Sequence, residues 1–155
     1  MKKVLIALDY NPSAQKVAEM GYTLAKAMKA EVILVHVTEE PTYYTSFEYG
    51  PIMGYTGYAN SDMLKIIDPD ELKQASLDFL NQTKKHLNDE SILTVVSQGD
   101  TSSTILNIAN EKNADVIVMG SHSRRWLEKI LIGSITEEVL RHSTIPLFIV
   151  PTKSN

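Results

Sequence analysis

The residues of this chain best equipped for chemistry are two glycines and the polar segment between them. An apolar run from Asp115 to Met119 leads directly into Gly120, and Gly133-Ser134 opens a stretch with helical spacing, Ile135 to His142. A strand ending at one glycine and a helix starting at another bring bare backbone N–H groups to one place. The first turn of a helix leaves N–H groups without intrahelical partners and carries partial positive charge. Such a place suits a phosphate. Ser134 reads as an N-cap there, and an empty cap doubles as an anion ligand.

The rest of the chain supplies the elements that would position this loop. Val4-Leu-Ile-Ala-Leu8 is a continuous apolar run ending at Asp9, the pattern of a strand buried on both faces. Asn11-Pro12-Ser13 is turn chemistry with Ser13 as the N-cap of a helix. Val17, Met20, Gly21, Leu24, Ala27 and Met28 then recur at helical spacing. Val32–Val37 is the second strand, so the opening reads as a right-handed βαβ unit. Asp68-Pro69 caps a helix with Leu72, Ala75, Phe79, Leu80, Thr83 and Leu87 on its buried face. Ser91–Val96 is a third strand. Asp100 or Thr101 then caps a helix packed through Ile105, Ile108 and Ala109. Val116–Met119 and Leu147–Val150 are the fourth and fifth strands.

Alternation of this kind specifies an α/β fold: an open, Rossmann-like parallel sheet of five strands with helices on both faces. With the order 3-2-1-4-5, the first and fourth strands are neighbours. Ligands of such sheets bind beyond the carboxyl ends of the strands, where the order reverses. That puts the crevice between Asp9 and Gly120.

Composition narrows the function. The chain has 155 residues, 43% of them hydrophobic and 22% charged, with a net charge of −4. One domain spanning 1–155 is expected. The acidic balance argues against nonspecific binding to nucleic acid or acidic membranes. With no cysteine, disulfides and thiolate chemistry are excluded. The apolar start is too short for a signal-peptide core or a membrane span, so the cytoplasm is the expected location. Residues 38–68 form a long insertion rich in tyrosine and glycine. Aromatics of this density could stack on single-stranded nucleic acid, but no basic residue lies between Thr38 and Lys65. A lid or an interaction surface is the better reading.

Val4-Leu-Ile-Ala-Leu-Asp9, Val32–Val37, Gly99-Asp100, Asp115–Gly120 and Pro146–Val150 together resemble the universal stress protein family, over nearly the whole chain. Its nucleotide-binding branch carries a motif of glycine, two residues, glycine, nine residues, then Gly-Ser or Gly-Thr. Gly120 and Gly133-Ser134 keep that spacing, and Ser123 replaces the middle glycine. The resemblance implies the fold of the adenine nucleotide α-hydrolases and a bound adenine nucleotide such as ATP with Mg²⁺. It implies that Asp9 meets the ribose or, through the metal, the phosphates, and that the backbone of Val37 reads the adenine edge. Met119 and Gly120 would line base and ribose. Ser123, Gly133, Ser134 and Ile135 would hold phosphates. Ala7 and Leu8 beside Asp9, Ser121 after Gly120 and Thr136 after Ile135 complete the candidate set. A homodimer paired through Leu147–Val150 is also implied, covering an apolar strand edge.

At position 123, serine costs about 1 kcal/mol relative to glycine if the backbone needs positive φ. It keeps the N–H and adds a hydroxyl. Arg124 and Arg125 follow it and could meet a terminal phosphate through charge-assisted bonds. No residue stands out as a general base, and no Gly-Lys-Ser/Thr loop is present, so binding and signalling are expected rather than fast catalysis. His122 reads as a solvated loop residue, Trp126 as a loop anchor, His36 as a packed strand residue, and His86 and His142 as helix-surface residues. Two competing readings remain. One is a dimeric interaction module that has lost its nucleotide. The other is an adenylate-forming enzyme, disfavoured because Asp9-Tyr-Asn-Pro-Ser13 replaces the glycine-rich loop that such enzymes carry after the first strand.

Overall fold

In the computed structural model, residues 1–39, 69–121 and 133–152 are described. Along the chain run β1 (Lys3–Ala7), α1 (Ala14–Met28), β2 (Glu31–Thr38), α2 (Pro69–Leu87), β3 (Leu93–Gln98), α3 (Thr101–Glu111), β4 (Val116–Gly120), α4 (Ser134–His142) and β5 (Leu147–Val150). The strands form one parallel sheet in the order β3-β2-β1-β4-β5. This is the α/β architecture expected from the alternation of apolar runs and amphipathic segments.

The unbroken apolar runs have a direct cause. Side chains alternate across a strand, and both faces of this sheet are covered. Val4, Ile6, Val32, Leu34 and Val118 pack with α1 and α2. Leu5, Ile33, Val35, Val37, Ile117 and Met119 pack with α3 and α4. Gly21 lets α1 lie close to the sheet: a Cβ there would sit 2.7 Å from Ile6 Cδ1 and 3.1 Å from Val118 Cγ1.

Three local expectations change and one is narrowed. Ser13 occupies the N-cap position of α1, but its side chain does not cap the helix. Its hydroxyl instead donates to Asn11 Oδ1 at 2.7 Å, and its N–H does so at 3.0 Å. The third strand starts two residues later than the apolar run suggests. Asp89 accepts the N–H and the hydroxyl of Ser91, which turns the chain there, and pairing continues to Gln98 opposite Thr38. Asp100, not Thr101, caps α3, accepting from Ser103 N at 3.1 Å and Ser103 Oγ at 2.8 Å. These bonds from Ser103, with one from Ser102, hold its carboxyl below the usual carboxylate range. Finally, Gly133 is the N-cap of α4, and Ser134 is its first helical residue. The Asp68 cap and the tyrosine-rich segment lie outside the described residues.

Asp89 also ties the turn before β3 to α1. It accepts from Tyr22 Oη at 2.9 Å and Lys26 Nζ at 3.2 Å. The Ser91 hydroxyl and amide, then Tyr22, then Lys26, hold its carboxyl well below the usual range.

Two predictions follow from these contacts. Gly21→Val should cost about 1–3 kcal/mol of stability in urea unfolding, because a packed strand face must yield. A folded-state pKa below the unfolded value of about 3.9 gives stability that is present above that pH and lost as the pH falls below it. Wild type should therefore lose stability more steeply than Asp89→Asn between neutral pH and about pH 3, read as unfolding midpoints at each pH.

Candidate functional site

The parallel register brings the expected ligand residues to one end of the sheet. Ile6 pairs with Val118 and Ala7 with Val35, so Asp9, Val37 and Gly120 all lie at the carboxyl ends of adjacent strands. Ala7, Val37 and Met119 share the sheet face covered by α3 and α4. The Val35 carbonyl accepts the Leu8 N–H at 2.9 Å. Backbone groups alternate in direction along a strand, so those of Val37 point the same way, over the end of β1.

The corner after β1 is tightly built. Asp9 Oδ1 accepts the Asn11 N–H at 3.0 Å, and Asn11 O accepts the Ala14 N–H that begins α1. These bonds fix the half-buried carboxylate of Asp9 just beyond the carboxyl end of β1.

The other side of the crevice is a seam between β4 and α4. Ser121 O accepts the Gly133 N–H at 2.6 Å. The buried hydroxyl of Thr136 donates to Gly120 O at 2.8 Å. Gly133 also has extended backbone, with φ −66° and ψ 159°, and brings no side chain to the first turn of α4. The N–H groups of Ser134, Ile135 and Thr136 therefore start a helix whose cap offers them no acceptor of its own.

Several of the candidate residues prove to brace the site. Leu8 points its side chain into the opposite core, against α1 and α2. Ser121 is held on three sides: its carbonyl accepts from Gly133 N, its N–H goes to Val150 O at 2.9 Å, and its hydroxyl accepts from Thr152 N at 3.0 Å. Gly120 has a packing reason as well as a functional one, since a Cβ there would lie 3.0 Å from Thr152 Cγ2 and 3.1 Å from Val17 Cγ2. Thr152 has no local sequence signal, because its partner lies 31 residues earlier in the chain. Ser123, Arg124, Arg125, Trp126 and His122 lie outside the described residues.

No described group of three or more His, Asp or Glu gathers where it could hold a metal ion. Among the described residues Asp9 would be a lone carboxylate ligand, a donor set compatible with Mg²⁺, which commonly takes one or two carboxylates and completes its shell with phosphates and water.

The model of the universal stress protein family matches residues 1–151. The chain belongs to that family. Universal stress protein MJ0577 of Methanocaldococcus jannaschii is 29% identical over 158 residues, covering 99% of this chain and 97% of the relative. The solved structure of MJ0577 superposes with a TM-score of 0.71 at 28% identity, covering 99% of this chain and 98% of that one. Two more distant family structures share the fold. A universal stress protein in complex with cAMP has a TM-score of 0.65 at 19% identity, covering 98% of each chain. One from Archaeoglobus fulgidus in complex with dAMP has a TM-score of 0.56 at 18% identity, covering 96% of this chain and 97% of that one. Among the described residues, no helix is long and apolar enough to cross a membrane.

The seam makes its own prediction. Thr136→Val keeps the shape but leaves Gly120 O without its hydroxyl donor, and should cost about 1–2 kcal/mol in urea unfolding. Thr136→Ser, which keeps the donor, should recover most of that loss.

Proposed function

We propose that this universal stress protein binds an adenine nucleotide, ATP foremost, with Mg²⁺ between Asp9 and the phosphates. The observation that carries the reading is the glycine-capped N-terminus of α4, tied by Gly133 N to Ser121 O across the crevice from Asp9. First-turn N–H groups and the helix dipole favour negative charge at such a terminus. The Ser134 hydroxyl adds a donor, and the Val37 backbone faces the end of β1, where a base edge would lie. The cAMP and dAMP complexes of relatives support an adenine nucleotide as the ligand class.

The same proposal makes the protein a signalling device in the cytoplasm that acts through occupancy, not a fast enzyme. It pairs as a homodimer through β5. That strand lies at the sheet edge, with Leu147, Phe148 and Ile149 only half-buried. An apolar edge of this kind is protected when a second strand covers it.

Ser123, where the family motif has glycine, favours one alternative: a dimeric interaction module without nucleotide. Analysis of nucleotide released from the purified protein separates the two, together with a thermal-shift titration by ATP and Mg²⁺. Nucleotide in the preparation, or a rise in melting temperature, supports the proposal. A clean protein with no shift at millimolar ATP favours the interaction module. Ser134→Ala combined with Gly133→Val should weaken ATP binding more than about tenfold, as expected when phosphate contacts to a charged group are lost, with the far-UV circular dichroism unchanged. Unchanged affinity in that variant would mean that the phosphates are held elsewhere.

A further inference from the structure

His36 sits in β2 with 3% of its surface exposed. Its Nδ1 lies 2.7 Å from Leu8 O. A carbonyl only accepts, so Nδ1 carries the proton and donates it. The two ends of this bond matter. Leu8 precedes Asp9 in the chain, and His36 precedes Val37. A single side chain therefore links the two backbone points that flank the crevice on the β1 and β2 sides. Regular β1–β2 pairing reaches only Ala7 and Val35. Leu8 N still donates to Val35 O, while the Leu8 carbonyl is taken by the imidazole instead of by the next step of a ladder.

The ring is itself held in place. Tyr10 packs against it with centroids 4.5 Å apart, and Phe79 of α2 meets it edge-on at 5.7 Å. Tyr10 Oη lies 3.0 Å from Ser76 Oγ. The Ser76 hydroxyl donates to Leu72 O at 3.0 Å, so the phenol is the donor of the pair. Leu8 is thus gripped from β2, and Tyr10 from α2, on either side of Asp9.

We propose that His36 is a positioning residue for the nucleotide site: its Nδ1–H, given to Leu8 O, sets the Asp9 corner relative to the Val37 backbone. The part concerning ligand affinity rests on the adenine-nucleotide reading above, whereas the hold on the corner does not. The role asks for a donor at one point inside an apolar strand, which a merely space-filling side chain does not supply.

The test compares His36→Asn, whose amide N–H can replace Nδ1–H, with His36→Phe, which keeps a ring and loses the donor. In the protein without nucleotide, two NMR measurements apply. Long-range nitrogen spectra of wild type should show Nδ1 protonated. Amide hydrogen exchange of Asn11, whose N–H is held by Asp9 Oδ1, should speed up about tenfold in His36→Phe and stay within about threefold in His36→Asn, the scale of one lost hydrogen bond. With ATP and Mg²⁺, His36→Phe should weaken binding by about the same factor and His36→Asn should restore it. In an Asp9→Ala background, His36→Phe should add little further loss, because the two act through one corner.

A wild-type ring protonated only on Nε2 would overturn the proposal, and this reading needs no variant to fold. So would equal behaviour of the Asn and Phe variants, or losses that add fully with Asp9→Ala. If the exchange pattern holds while wild type binds no ATP, the hold of His36 on the corner stands and the nucleotide reading fails.

Discussion

The seam where β4 meets α4 is the constraint on which the site depends. Ser121 O accepts Gly133 N, and Thr136 Oγ1 donates to Gly120 O. The first bond places the start of α4 at the end of β4. The second fixes its rotation. Without them, the first-turn N–H groups of α4 would have no defined aim. The seam also reaches further along the sheet, because Ser121 accepts Thr152 N and donates its own N–H to Val150 O. The phosphate end of the crevice is thereby bonded to the residues that leave β5, so the proposed ligand and the proposed dimer edge share one braced segment.

The opposite wall is built by different means. Asp9 stands in a corner of short-range bonds, from Asn11 N to Asp9 and from Ser13 to Asn11. Long-range contacts from His36 and Ser76 then anchor that corner to β2 and α2. Both walls rest on strands covered on both faces. Two small residues keep the layers close: Gly21 under α1, and Gly120 beside Val17 and Thr152. Their role is close approach, and neither depends on unusual backbone angles.

Much of this was legible in the sequence, for physical reasons that differ by element. Strands buried on both faces leave unbroken apolar runs, so β1, β2 and β4 could be placed within a residue or so. The half-buried edge strand β3 leaves a weaker pattern, and the Asp89–Ser91 turn that delays its start depends on side-chain bonds that apolar spacing does not encode. Asp9 and Gly120 could be placed at strand ends, and Gly133 at a helix start, because strand ends and helix starts are local features. The bracing roles of Leu8, Ser121 and Thr136 were not legible, since each depends on partners far away in the chain. His36 read only as a packed strand residue: burial is local, but its bond to Leu8 spans 28 residues. The family relationship, resting on motifs spread across the chain, was visible at both levels.

The proposed adenine nucleotide lies between the Asp9 corner and the start of α4. The most direct measurement is a titration of isotopically labelled protein with ATP and Mg²⁺, followed by amide chemical shifts. The account predicts saturable shifts that concentrate at Asp9, Val37, Gly120 and Gly133–Thr136. Shifts that concentrate at the other end of the sheet, near Asp89 and Lys112, or no shifts at millimolar ATP, would contradict it.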